Sequence, residues 1–241
     1  MAEGTVGALL ASGRNADVYD LGDGRVLRRY RDGRPAEAVA REAEVMAHAR
    51  AHGVPVPEVF GVSGADVVMA RASGPTMMDS LARRPWTVRA QAALLARLHR
   101  QVHAVPALGW LRAPFGDDAE SRGVAGGEVL LHHDLHPQNV ILTPDGPQII
   151  DWEGAARGPA VADVAMTWVI IAFSEIPGPR LEAMAARPVQ AMFARRFLRA
   201  AGPVDQRWLE IAVRRRLGDH NLLPSERVRL ELAFYSDSAL R

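Results

Sequence analysis

The chain has 241 residues, 48% hydrophobic and 24% charged, an ordinary globular balance that excludes disordered, collagen-like and low-complexity architectures. Its 29 basic and 28 acidic side chains leave a formal net charge of +1, which gives no field that argues for nucleic acid or a membrane surface as partner. Cysteine is absent and every basic residue is arginine, so disulfides, thiolate chemistry and lysine catalysis are excluded and the expected compartment is the cytoplasm.

Apolar runs at residues 6–10, 16–21 and 25–30 read as three strands, the last two joined as a hairpin by Gly22-Asp23-Gly24. Ser12-Gly13-Arg14-Asn15 is a turn-forming set between the first two. Residues 35–52 predict a helix closed by Gly53, and residues 59–62 and 67–71 two further strands. In the helix, Val39, Glu42, Met46 and Ala49 recur at helical spacing, which puts Glu42 on the buried stripe and turns Glu44 away. A buried carboxylate needs a partner. Val26, Arg28 and Tyr30 share one face of the third strand, so Arg28 is the expected one; the alternative places Glu42 at the wet edge of the stripe.

Ser73-Gly74-Pro75 is a breaker cluster at the expected boundary between an N-terminal lobe, residues 1–71, and a C-terminal lobe, residues 72–241. Thr87 is the expected cap of a helix running to His103, with Val88, Ala92, Leu95, Leu98 and Val102 at helical spacing. Residues 104–127 read as loop. Strands at 129–131, 140–143 and 148–150 follow, then helices near 162–174, 181–200, 205–217 and 225–235. The fold class is α+β: a small antiparallel sheet with one helix, then a larger and mostly helical part.

The chemistry concentrates in His132-His133-Asp134-Leu135-His136-Pro137-Gln138-Asn139 and in Ile149-Ile150-Asp151-Trp152-Glu153. A two-residue turn at Asp145-Gly146 would pair Val140 with Asp151 and bring Asn139 beside them. A carboxylate and an amide oxygen converging at an open sheet end suit Mg²⁺, which keeps waters and takes its other ligands from phosphates. Asp134, on the same loop as Asn139, is placed to act as a base. A base, two metal ligands and a cation for the phosphates are the parts of phosphoryl transfer.

These two motifs resemble the catalytic and metal-binding loops of the aminoglycoside phosphotransferase-like kinases, a family with the bilobal protein-kinase-like fold. The resemblance implies a catalytic role for Asp134, Mg²⁺ ligation by Asn139 and Asp151, and bracing of the catalytic loop by His132. Gly13 would lie in the turn over the phosphates. Arg28 would stand where the family has its phosphate-binding lysine, with Glu42 completing the helix-to-strand ion pair. Met69-Ala70-Arg71 would be the hinge whose backbone binds adenine. Asp163, read locally as a helix N-cap, would tie the catalytic loop down. His133 and Gln138 depart from the family pattern, which commonly has glycine at both positions.

The implied activity is ATP- and Mg²⁺-dependent transfer of the γ-phosphoryl group to a hydroxyl of a small molecule, with GTP an alternative donor. From Pro179 onward the chain carries 12 Arg and 7 acidic residues, an excess of +5, which favours a neutral or anionic acceptor over a polycation. Asp117, Asp118, Glu120 and Glu153 are local acids with which a pocket could be lined. Two other readings remain. The arginine at position 28, with His133 and Gln138, suggests a pseudokinase that binds nucleotide without transfer. Clustered His132, His133 and His136 suggest a metal hydrolase, although the other histidines form no second cluster; His48 with His52, and His99 with His103, read as solvated or half-buried helix faces.

Overall fold

A computed structural model describes residues 7–13, 15–31, 33–114, 128–176, 178–219 and 222–235. Contacts divide the chain into two compact units, residues 1–75 with 140–153, and residues 76–139 with 154–241. The sequence boundary after Arg71 lies just before the first break, but the segment 140–153 groups with the N-terminal residues. A linear division does not contain that return of the chain.

The first unit holds a five-stranded antiparallel sheet of β1 (Leu9–Ser12), β2 (Ala16–Gly22), β3 (Arg25–Tyr30), β4 (Val59–Ser63) and β5 (Asp66–Ala70), in the order β1-β2-β3-β5-β4. The first strand begins three residues later than the apolar run implied; residues 1–6 and Arg14 lie outside the described residues. Asp23 and Gly24 turn the β2–β3 hairpin at φ 51° and 71°, a left-handed conformation that Asp and Gly tolerate best. Helix α1 (Ala36–Ala51) buries Val39, Glu42, Ala43, Val45, Met46 and Ala49. It stops where Gly53 takes φ 82° just beyond the last turn.

Strands β7 (Val140–Thr143) and β8 (Gly146–Ile149) form a hairpin in the same unit. Val140 faces Ile149, not Asp151, so the register implied by an Asp145-Gly146 turn is corrected by two residues. The turn residues are Pro144 and Asp145: proline has no N–H to give to a ladder, and the fixed φ suits the first central position of a turn. The hairpin is tied to its unit by Leu142 N–H to the Pro75 carbonyl, 2.9 Å, and Ile149 N–H to the Pro55 carbonyl, 2.7 Å. Gly74 permits the first of these approaches, because a β-carbon there would fall 2.1 Å from the Leu142 oxygen.

The second unit is mostly helical. Helix α2 (Met77–Arg83), absent from the sequence reading, starts in a capping box in which Thr76 Oγ1 accepts from Asp79 N–H at 3.0 Å and Asp79 Oδ2 accepts from Thr76 N–H at 3.3 Å. Helix α3 (Val88–His103) buries Leu95, Leu98 and Val102 as the spacing required, each contributing about 1.5–3 kcal/mol of apolar transfer. Thr87 precedes this helix without capping it; the hydroxyl donates to the Arg84 carbonyl and accepts from the Gln91 amide.

Strands β6 (Val129–Leu131) and β9 (Ala156–Gly158) pair antiparallel, Leu131 opposite Ala156. Helices α4 (Ala160–Phe173), α5 (Arg180–Ala201), α6 (Gln206–Leu217) and α7 (Pro224–Tyr235) complete the unit. Leu131, Met166, Val169, Trp208, Ile211 and Leu230 form one core cluster across β6, α4, α6 and α7. Phe193 and Phe197 of α5 are buried as well, so these aromatic residues pack the core. No helix of the described residues is long and apolar enough to cross a membrane.

Candidate active site

In the first unit β3 and α1 bring Arg28 and Glu42 together as the strand and helix periodicities required. Arg28 Nη1 donates to Glu42 Oε1 at 3.0 Å. Glu42 is 5% exposed, which rules out the wet-edge alternative. Tyr30 Oη and Arg34 Nη2 also donate, both to Glu42 Oε2, at 2.6 and 2.8 Å. Both guanidiniums stack on the Tyr30 ring, 4.7 and 4.4 Å from its centre. Burial pushes the Glu42 carboxyl above its usual range, opposed by Arg28, Tyr30 and Arg34. Burial works against the charge of Arg28, but Glu42, Tyr30 and Asp151 outweigh it and hold that guanidinium firmly protonated.

The second arm of Arg28 reaches the other motif. Its Nη2 donates to Asp151 Oδ1 at 2.8 Å. Asp151 lies two residues beyond β8 in a left-handed conformation, φ 67°. Two residues on, Glu153 is held by Arg34 Nη1 at 2.5 Å and Asn15 Nδ2 at 3.0 Å. Sequence reasoning grouped Glu153 with possible pocket acids; the structure gives it a structural ion pair. Asp117, Asp118 and Glu120 lie outside the described residues.

Two more expected nucleotide contacts belong to this unit. Gly13 N–H closes the β1–β2 turn on the Ala16 carbonyl at 2.9 Å. At the segment read as a hinge, Ala70 N–H bonds the Glu58 carbonyl and Arg71 N–H the Gly24 carbonyl, both at 2.8 Å. Met69 is paired inside the sheet with Val26 and Val59. Adenine recognition at this strand end would therefore fall to groups other than the N–H of Ala70 and Arg71.

The catalytic-loop motif lies in the second unit, anchored by buried Leu135, whose carbonyl accepts from Thr167 Oγ1 at 3.0 Å. Asn139 closes the loop. Its Nδ2 donates to the Asp134 carbonyl at 2.8 Å and to Asp134 Oδ2 at 3.2 Å, so the amide nitrogen, not the oxygen, makes these bonds to the loop. Asp134 Oδ1 lies 3.5 Å from His136 Nε2. Burial raises the Asp134 carboxyl, but His136, and then His132 and Arg216, outweigh this and leave it below its usual range.

Asp163 is fully buried in the first turn of α4 and corrects the local reading, because Pro159 occupies the N-cap position. The Asp163 carboxylate accepts from the loop backbone: His133 N–H to Oδ1 at 2.9 Å and His132 N–H to Oδ2 at 3.2 Å. His103 Nε2 lies 2.9 Å from Oδ2. Burial raises the Asp163 carboxyl, but the bond from His103, with the further influence of His99 and His133, outweighs this and drives it well below the carboxylate range. His132 itself is fully buried. His133 adopts φ 68°, a conformation that costs a side chain about 1–2 kcal/mol and costs glycine nothing. Gln138 is exposed, its N–H directed to His136 Nδ1 at 3.3 Å.

Several partners were missed from sequence. Tyr30 shares the face of Arg28 and was legible as a neighbour, but not as a donor to Glu42. Arg34 carries no periodic signal. Of the solvated or half-buried face read for His99 and His103, the structure excludes the solvated form: His99 is 1% exposed, and half-buried His103 meets a buried carboxylate. His132, His133 and His136 form no ligating group; among the described residues the one such group is His99, His103 and Asp163.

Solved structures share the fold of this chain at low identity. A crystal structure of aminoglycoside phosphotransferase APH(4)-Ia matches with 17% identity and a TM-score of 0.62, over 93% of this chain and 90% of that one. Aminoglycoside-3'-phosphotransferase of type VIII matches with 21% identity and a TM-score of 0.57, over 85% and 89%. Amicoumacin kinase hAmiN, solved with AMP-PNP, Ca²⁺ and Ami, matches with 14% identity and a TM-score of 0.59, over 92% and 85%. No curated protein matches the sequence. A family model described as the phosphotransferase enzyme family matches residues 6–122 and 118–212. Most of the sequence falls within that match, so the chain belongs to the phosphotransferase enzyme family.

Proposed function

We propose that the protein transfers the γ-phosphoryl group of ATP, with Mg²⁺, to a hydroxyl group of a small molecule. The observation that carries this reading is the pair of bonds from Asn139 Nδ2 to the Asp134 carbonyl and carboxylate, which holds a carboxylate and an amide together on one loop. Asp134 orients the acceptor hydroxyl and takes its proton. A carboxyl held below its usual range is a weak base, which suits a loose transition state in which positioning outweighs proton abstraction. Asn139 Oδ1 and the Asp151 carboxylate are hard oxygen donors that fit Mg²⁺; the ion would neutralise charge on the transferring phosphoryl group. Arg28, fixed by Glu42, binds phosphate oxygens with its planar fork. GTP remains an alternative donor.

The acceptor we favour is a neutral or anionic hydroxylated molecule. The arginine excess after Pro179 supports this.

One observation favours the pseudokinase reading instead. Arg28 occupies Asp151 Oδ1 at 2.8 Å, and that contact competes with a metal for the carboxylate. The decisive experiment is a thermal shift with ATP, with and without Mg²⁺, on wild type and Asp151→Asn, followed by a turnover assay. A Mg²⁺-dependent shift that the variant loses, together with phosphate transfer to a hydroxylated acceptor, supports the kinase. A shift that is unaffected by Mg²⁺, with no transfer, supports the module.

A further inference from the structure

His99 and His103 stand one turn apart on α3 and face the Asp163 carboxylate of α4. His99 Nε2 lies 3.3 Å from the Leu135 carbonyl. A carbonyl only accepts, so the proton of this imidazole is on Nε2 and Nδ1 presents a lone pair. That Nδ1 atom has no hydrogen-bond partner, although the residue is 1% exposed. It lies 3.7 Å from Asp163 Oδ2. Burial pushes the imidazole down to about 3, so two acceptors face each other inside the protein with no proton between them. An orphaned buried lone pair of this kind calls for an explanation.

A cation supplies one. Asp163 Oδ2 lies 2.9 Å from His103 Nε2, and the three ligand atoms all lie within 4.8 Å of one another. Ligands about 2.0–2.1 Å from a tetrahedral ion stand roughly 3.3 Å apart; the two contacts to Oδ2 fall on either side of that spacing. The surroundings are those of ligating groups: the Leu135 carbonyl fixes the tautomer of His99, and backbone N–H groups of His132 and His133 orient the carboxylate. A cleft of about 480 Å³, lined by His99, Arg100, His103, Val164 and Gly202, reaches the cluster and provides an entry path.

We propose that His99 Nδ1, His103 Nε2 and Asp163 Oδ2 form a site for Zn²⁺ or a similar borderline transition ion. Two imidazole nitrogens and one carboxylate select such an ion over Mg²⁺, which demands oxygen ligands. The fourth position is open to water from the cleft. In neutral His103 the proton moves from Nε2 to Nδ1 as the ion enters, so the charge changes only by that of the ion. Because Asp163 also holds the backbone of His132 and His133, the ion would stiffen the loop that carries Asp134. Binding itself does not depend on the phosphotransferase reading.

The test uses untagged full-length protein, without nucleotide or Mg²⁺, titrated calorimetrically with Zn²⁺ alone. The variants are His103→Gln, whose amide can still donate to Asp163, and two controls, His48→Gln/His52→Gln and His136→Gln. The expected result is one equivalent bound by wild type and both controls, and affinity lower by about tenfold or more in His103→Gln. Co²⁺ in place of Zn²⁺ should give the visible absorption of a four-coordinate nitrogen and oxygen site in wild type, lost in folded His103→Gln. Equal binding by His103→Gln, loss of binding in either control, or no binding by wild type would each overturn the proposal.

Discussion

Arg28 Nη2 donates to Asp151 Oδ1 at 2.8 Å while Nη1 of the same guanidinium donates to Glu42 at 3.0 Å. One cation thus ties a strand, a helix and the residue after a hairpin. The arrangement follows from burial: Glu42 lies on the inward stripe of α1, and a carboxylate there is tolerable only among donors. Arginine can serve two carboxylates at once because its fork presents separate N–H groups in one plane. Lysine in its place would offer a single point charge.

Removing the hub of this network should be costly. Glu42→Ala leaves Arg28, Tyr30 and Arg34 facing an empty buried site, and breaking a buried pair from one side costs about 3–5 kcal/mol. Urea denaturation of wild type and variant measures it. A loss below about 1 kcal/mol would mean that the three donors find other partners.

Asp134→Ala should reduce phosphate transfer by at least the roughly 10²–10⁴-fold typical of a positioned acid or base. ATP affinity should change little, since the nucleotide contacts proposed here lie elsewhere. Turnover assays beside nucleotide titration separate the two effects; equal turnover in variant and wild type would remove Asp134 from its role.

Gly74→Ala tests how the hairpin is tied to its unit. The added β-carbon would meet the Leu142 carbonyl oxygen at 2.1 Å, forcing apart the backbone bond from Leu142 N–H to Pro75. Overpacking of this kind costs about 1–3 kcal/mol. A variant as stable as wild type in thermal melts would show that residues 74–75 and 142 are not held as described.

Acid should destabilise the protein in two stages, measured with chelator present. His99 is held neutral, its pKa lowered from 6.5 to about 3 by burial, with Asp163 opposing and His103 and His132 assisting. The unfolded chain therefore takes up that proton first, so stability is complete above about pH 6.5 and falls as pH drops towards 3. Half-buried His133 shifts in the same direction, chiefly through loss of solvent around the ring. Asp163 is depressed below 3.8, so its contribution is present above that value and is lost only as pH falls beneath it. Denaturation from about pH 8 to 4 should show the first stage, with a shallower slope in His99→Asn. An unchanged slope would contradict a buried neutral His99.

The two motifs were legible in the sequence because local chemistry fixes them: an Asp and an Asn on one short loop, and an Asp just after an apolar strand. Periodicity was sufficient for α1, α3 and the pairing of Arg28 with Glu42, since burial of a stripe depends only on spacing along one helix. It failed at the β7–β8 turn, where Pro144 moved the register, and at α2, whose capping box sits in a stretch without apolar rhythm. The environment of Asp163 lay beyond it altogether. His99, His103, His132 and His133 reach that carboxylate from a helix and a loop distant in sequence, and only packing decides which lone pairs and N–H groups meet. Spacing along the chain assigns a residue to a face; what stands opposite that face, and whether a proton or an ion lies between, is settled by the tertiary structure.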